Sequence, residues 1–106
     1  MKSVVICGSR KFKQEINKFA DELEELGVLV YAPDVDADHI QKMRMADVVF
    51  VYNKDGYAGV SVTLEIGAAI ALAKPIYALA DDPEVCRQVL FQAVISSPEE
   101  LVKKLS

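Results

Sequence analysis

Between Gly56 and Ala73 one residue carries a charge, Glu65, and its neighbours Leu64, Ile66, Ala68, Ala69, Ile70 and Leu72 are apolar almost all round. A helix of that composition is buried or lies in an interface. A carboxylate set into it must be neutralised, paired or used. Expected in the first turn of its helix, Glu65 would also face free N–H groups and the positive end of the helix dipole. An ionised, partly desolvated carboxylate facing a cleft can attack an electrophilic carbon or stabilise a cation. The plain alternative is a capping box, which needs Ser or Thr three residues earlier, and that residue is Val62.

Other residues could work beside it. Gly8, Ser9 and Arg10 follow an apolar run and precede a helical pattern. A glycine, a hydroxyl and a guanidinium before a helix can hold a phosphate. They can equally form a turn, a helix cap and a solvated surface residue. Neither a G-x-G-x-x-G pattern nor a Walker lysine is present. His39, the sole histidine, precedes a short helix, and a neutral imidazole near Glu65 could orient it or shuttle a proton. A surface position is its plain alternative. Asp34, Asp36 and Asp38 read as a solvated acidic loop, since no complete EF-hand spacing is present. Asn53, Asp55, Tyr57, Gly59 and Ser61 span a turn-rich loop that leaves room for close ligand approach. Asp47 precedes a strand and is expected to be structural.

The elements that must position these groups alternate in type. Ser3 to Cys7 is a short β-branched run ending at Gly8, as expected of a strand buried on both faces. Phe12 to Leu26 places Phe12, Ile16, Phe19, Ala20, Leu23 and Leu26 on one helical stripe, closed by Gly27. Val28 to Tyr31, Val48 to Tyr52, Ile76 to Leu79 and Leu90 to Ile95 are the remaining expected strands. Helices are expected over Ile40 to Met45, Ser61 to Ala73, Asp82 to Val89, and from Ser97 onward. There Ser97 is the cap, Pro98 the first helical position and Glu100 the partner of a capping box. Strands alternating with helices predict an α/β fold: a doubly wound, five-stranded parallel sheet in the order 2-1-3-4-5, with helices on both faces. Ligands bind such sheets outside the C-terminal strand ends, where strands 1 and 3 diverge. That rule selects the loops Gly8 to Lys11, Pro33 to His39 and Asn53 to Ser61.

The 106 residues suit a single domain, 1–106, and a hydrophobic fraction of 52% suffices for its core. A net charge of −4 and a pI near 4.9 lack the basic footprint of a nucleic-acid binder. Cys7 and Cys86, with one histidine, make no metal-ligand spacing, so they read as reduced thiols and neither metal nor cofactor is expected. The run Val4 to Cys7 is too short for a leader, and no membrane span is visible, so the cytoplasm is the expected compartment.

Four segments, in order, resemble the nucleoside 2-deoxyribosyltransferase superfamily, which includes deoxynucleoside-monophosphate N-glycosidases. They are Val4-Val5-Ile6-Cys7-Gly8-Ser9-Arg10; Ala46-Asp47-Val48-Val49; Gly59 with Leu64-Glu65-Ile66-Gly67-Ala68-Ala69; and Ala73-Lys74-Pro75-Ile76. The resemblance covers about residues 3 to 80 and is most specific from Ala46 to Pro75. It implies a flavodoxin-like fold, a nucleoside or nucleotide ligand, and homo-oligomers (dimer or tetramer) with sites near subunit interfaces. It further implies that Glu65 is the nucleophile toward the anomeric carbon of a deoxyribose, and that Ser9 and Arg10 hold a 5′-phosphate. The sequence departs from the family where an Asp is common, at His39 and Gly59, and where a Tyr is common, at Val5. A non-catalytic nucleotide-binding module and a purely structural oligomer, with Glu65 paired in an interface, are the alternatives.

Overall fold

A computed structural model describes residues 2–31 and 39–106. The acidic stretch Asp34 to Asp38 and the rest of the loop that starts at Pro33 lie outside the described residues, up to His39. Among the described residues, five strands form one parallel sheet: β1 (Ser3–Gly8), β2 (Leu29–Tyr31), β3 (Val48–Tyr52), β4 (Ile76–Ala78) and β5 (Ala93–Val94), in the order β2-β1-β3-β4-β5. This is the expected doubly wound, flavodoxin-like arrangement. The helices are α1 (Lys13–Glu25), α2 (His39–Met45), α3 (Val60–Ala71), α4 (Val85–Gln88) and α5 (Pro98–Leu105).

The pleat divides the central strands between two cores. Val4, Ile6, Val48 and Phe50 pack under Ile16, Phe19 and Leu23 of α1 and under Leu101 and Leu105 of α5. Phe19 stacks on Phe50 with ring centroids 4.7 Å apart. On the other face Val5, Cys7, Val49 and Val51 meet Met43 of α2 and Val62, Ile66 and Ala69 of α3. β1 and β3 are therefore apolar without alternation, because both of their faces are covered. Each fully buried Ile, Leu or Phe of these cores contributes about 1.5–3 kcal/mol.

Helix α1 ends in a Schellman motif: Val28 N–H donates to Leu23 C=O (3.1 Å) and Gly27 N–H to Glu24 C=O (2.9 Å), with Gly27 at φ 92°. Helix α3 ends in the same way at a residue that is not glycine. Ala73, at φ 57°, donates to Ile70 C=O, and Lys74 N–H donates to Ala69 C=O, both at 3.0 Å. The helix stops at Ala71, two residues short of expectation.

Two expected boundaries move further. The fourth helix is reduced to Val85–Gln88, because the Asp82 carboxylate accepts from Glu84 N–H (2.8 Å) and Asp82 N–H donates to Gln88 Oε1 (2.7 Å). Those bonds hold the start of the segment in a turn. The fifth strand keeps only Ala93 and Val94; Leu90 and Phe91 N–H groups bond back to Arg87 and Gln88, completing the α4 turn. At α5 Ser97 caps as expected, accepting from Glu100 N–H at 3.2 Å, but the Glu100 carboxylate takes the Ser96 hydroxyl at 2.8 Å. Asp47 is structural, at the N-terminal edge: its Oδ2 accepts from Ser3 N–H (2.7 Å) and from the Ser3 hydroxyl (3.1 Å).

Candidate functional site

The C-terminal ends of β1 and β3 lie side by side, with Cys7 in register with Val51 and Gly8 with Tyr52. Along β1 the residues on the α2/α3 face are Val5 and Cys7, so the last inward side chain before the turn is a thiol. Helix α2 opens with His39 and brings its ring over that strand end. Helix α3 crosses the same face and contributes Glu65. Nε2 of His39 is 3.4 Å from Cys7 Sγ and also contacts Glu65 Oε2. Cys7 is fully buried, whereas the side chains of His39 and Glu65 keep 10% and 20% of their exposure. The expected meeting of His39 and Glu65 is present, and His39 is buried, not a surface residue.

Burial pushes the Cys7 thiol well above its ordinary range, and the charge and hydrogen bond of Glu65 push it further in the same direction. The thiol is thus a neutral donor beside the carboxylate. His39 Nδ1 is buried with no hydrogen-bond partner among the described residues. Among the described residues Glu65 is not locked to an arginine. Arg87, which reaches α3 through Nη1 to Thr63 Oγ1 (3.4 Å), is held by Asp82 through Nε (2.7 Å) and Nη2 (3.1 Å). Because α3 begins at Val60, Glu65 stands in the second turn, not the first. Its setting comes from its neighbours and not from free N–H groups at the helix start.

The remaining expected site residues divide by role. Ser9 and exposed Arg10 follow the C-terminal end of β1. Ser9 Oγ accepts from Lys11 N–H at 3.4 Å, capping a short 3-10 turn, Arg10–Phe12. Arg10 makes no ion pair among the described residues. Gly8 serves packing: a β-carbon there would stand 2.6 Å from Ile16 Cδ1 and 3.2 Å from Tyr52 Cβ. Asn53 is fully buried and turned to the main chain, donating to Ala80 C=O and accepting from Ala80 N–H, both at 2.9 Å. Asp55 is exposed in the left-handed region at φ 58°, and Ser61 is exposed on the first turn of α3. Tyr57 lies under the Lys11 ammonium, 3.5 Å from its ring centroid, and edge-on to Phe12, joining the first and third loops. Its hydroxyl is 3.2 Å from where a β-carbon on Gly59 would sit. Two surface depressions lie away from Glu65, one lined by Ile70, Lys74 and Leu90, the other by Glu15, Tyr52 and Pro98.

Cys7 is the residue that sequence reasoning missed. Positions 7, 39 and 65 have no local spacing in common, and a cysteine in an apolar run reads as core. The available signal was parity: Cys7 shares a face with Val5 and immediately precedes the glycine that ends the strand.

No family profile matches the sequence, and no curated protein sequence does. Solved structures do match the fold. A 2-deoxyribosyltransferase from Bacillus psychrosaccharolyticus superposes with a TM-score of 0.71 at 16% identity, over 93% of this chain and 89% of that one. A conserved protein from Enterococcus faecalis also gives 0.71 at 16% identity, over 99% and 97%. A CMP N-glycosidase from Clostridium botulinum gives 0.56 at 20% identity, over 97% and 98%. The chain thus shares the flavodoxin-like fold of these solved structures.

Proposed function

We propose that this protein cleaves or exchanges the N-glycosidic bond of a nucleoside or nucleotide, with Glu65 as nucleophile. The observation that carries this reading is the position of Glu65. It is a partly accessible carboxylate at the C-terminal strand edge, on a fold shared with a deoxyribosyltransferase and an N-glycosidase, and it touches His39. Breaking the bond builds oxocarbenium character on the sugar, which an adjacent carboxylate stabilises or traps. Glu65 Oε attacks the anomeric carbon as the base leaves with the bonding electron pair. His39 holds the carboxylate in place. Water then releases the sugar, or a second base takes it up. Ser9 and Arg10 bind a 5′-phosphate at the edge of the site, and Tyr57 borders it from the facing loop.

Val60 and Leu64 of α3, Val85 of α4 and Val89 just after it are apolar and all more than 60% exposed. A homo-oligomer formed through this surface would cover it and extend the wall of the site. None of the described helices is long and apolar enough to cross a membrane.

The test is incubation with a panel of nucleosides and 5′-monophosphates, read by chromatography for free base. Base released by the wild-type chain and lost in Glu65→Gln supports the mechanism. Equal turnover by both removes it. Saturable nucleotide binding with no base formed favours a non-catalytic binding module, a reading supported by the engagement of Glu65 with both of its neighbours.

A further inference from the structure

The three side chains at the end of β1 have a geometry that sugar chemistry does not require. Cys7 Sγ, His39 Nε2 and Glu65 Oε all lie within 4.8 Å of one another. The thiol and the carboxylate approach the same ring nitrogen, while Nδ1 faces no hydrogen-bond partner among the described residues. A nucleophilic triad is built differently: nucleophile and orienting acid use opposite nitrogens of the ring. Here the donor atoms of three residues converge on one point. With the proton on Nδ1, the Nε2 lone pair faces that point as well.

We infer that Cys7, His39 and Glu65 form a site for a divalent cation of the zinc class. One sulfur, one imidazole nitrogen and one carboxylate oxygen suit a borderline-soft ion with tetrahedral preference. A hard ion such as Mg²⁺ or Ca²⁺ prefers oxygen donors throughout. Ordinary Zn–S and Zn–N lengths at a tetrahedral angle separate sulfur from nitrogen by about 3.6 Å, and the pair here is separated by 3.4 Å. Glu65, with three rotatable side-chain bonds, sets the third distance. On binding, the Cys7 thiol releases its proton to solvent and coordinates as thiolate. Three protein ligands leave a fourth position open to water or a small ligand. The same carboxylate cannot bind the cation and attack a sugar, so metal loading and glycosidic chemistry at Glu65 exclude each other.

The test uses the full chain with the exposed second thiol replaced (Cys86→Ser), stripped with a chelator and titrated with Co²⁺. The expected result is one Co²⁺ per chain, with a sulfur-to-cobalt charge-transfer band and the intense visible bands of tetrahedral cobalt, both removed by an equivalent of Zn²⁺. Adding Cys7→Ala abolishes the charge-transfer band. It also weakens binding by more than the roughly 100-fold that loss of an outer-shell partner can cost. Glu65→Gln keeps the sulfur band and weakens binding at least about tenfold. Circular dichroism melts establish that each variant is folded. No sulfur band in folded Cys86→Ser, or a band persisting after Cys7→Ala, overturns the site. Should Cys7→Ala fail to fold, unchanged cobalt affinity in Glu65→Gln overturns it. Base release is measured separately on the chelator-stripped chain. Cobalt binding without base release leaves the metal site standing and sinks the glycosidic reading; base release without cobalt binding does the reverse.

Discussion

The side-chain amide of Asn53 is matched to the main chain of Ala80, donating to its carbonyl and accepting from its N–H at 2.9 Å each way. The pair joins the loop after β3, which also carries Tyr57 and Gly59, to the loop after β4. Gly56 fits the same junction: at φ 77°, a β-carbon there would meet Asp81 O at 3.0 Å and Pro83 Cδ at 3.1 Å. Asn53→Ala removes both bonds and leaves the part-buried Ala80 N–H without its side-chain partner. The expected loss is about 2–4 kcal/mol, read as a lower urea midpoint at unchanged m-value.

Glu65→Gln keeps shape and removes charge. If the carboxylate is the nucleophile, base release falls by at least about 10³-fold. Chemical denaturation shifts little, because the side chain is partly exposed and the amide still hydrogen-bonds. Single-turnover assays beside a urea melt separate the two effects.

Ala73 pays for the left-handed φ of 57° at the α3 C-cap, where Gly27 performs the same task for α1 without strain. Ala73→Gly relieves that strain, offset by the greater freedom of glycine in the unfolded chain. The net gain is about 0.5–1 kcal/mol, seen as a rise of a few degrees in Tm. Gly27→Ala moves Tm the other way.

Asp47 is held below the ordinary carboxylate range, chiefly by the Ser3 N–H and then by the Ser3 hydroxyl. A group whose folded-state pKa is depressed adds stability above its unfolded value, near 4, and loses it as pH falls through the folded value. Wild-type stability therefore declines on acidification from about pH 5 downward partly through this group. Asp47→Asn flattens that part of the profile, as urea midpoints measured at successive pH values would show.

Leu64→Lys with Val89→Lys charges two exposed apolar positions, one on α3 and one just after α4. Both side chains are 70% exposed, so the subunit fold is retained. Light scattering is expected to show the wild type as an oligomer and the double variant as a monomer. A monomeric wild type ends the oligomer proposal.

Much of the fold was written locally. An unbroken β-branched run marked β1 as doubly buried and another marked β3 as a strand, the stripe from Phe12 to Leu26 marked α1, and Gly27 marked its end. Alternation of strand and helix then limited the sheet to an order that the structure has. Boundaries failed where side chains overrode periodicity: the Asp82 carboxylate turned back a helix start, and Leu90 and Phe91 finished a helix instead of beginning a strand. Glu65 stood out from sequence because a lone charge in an apolar helix is costly wherever it points. The sequence also identified His39 and suggested Glu65 as its neighbour, but not that Cys7 would share the same ring nitrogen. Only tertiary packing decided that. Parallel crossovers carry residues 7, 39 and 65 from three separate elements to one strand end, and long-range convergence of that kind has no signature in local spacing. The same packing turned Asn53 from the ligand edge to the main chain and gave Gly8 to α1. Each depends on which atoms lie across a loop, and the chain's own neighbours do not determine that.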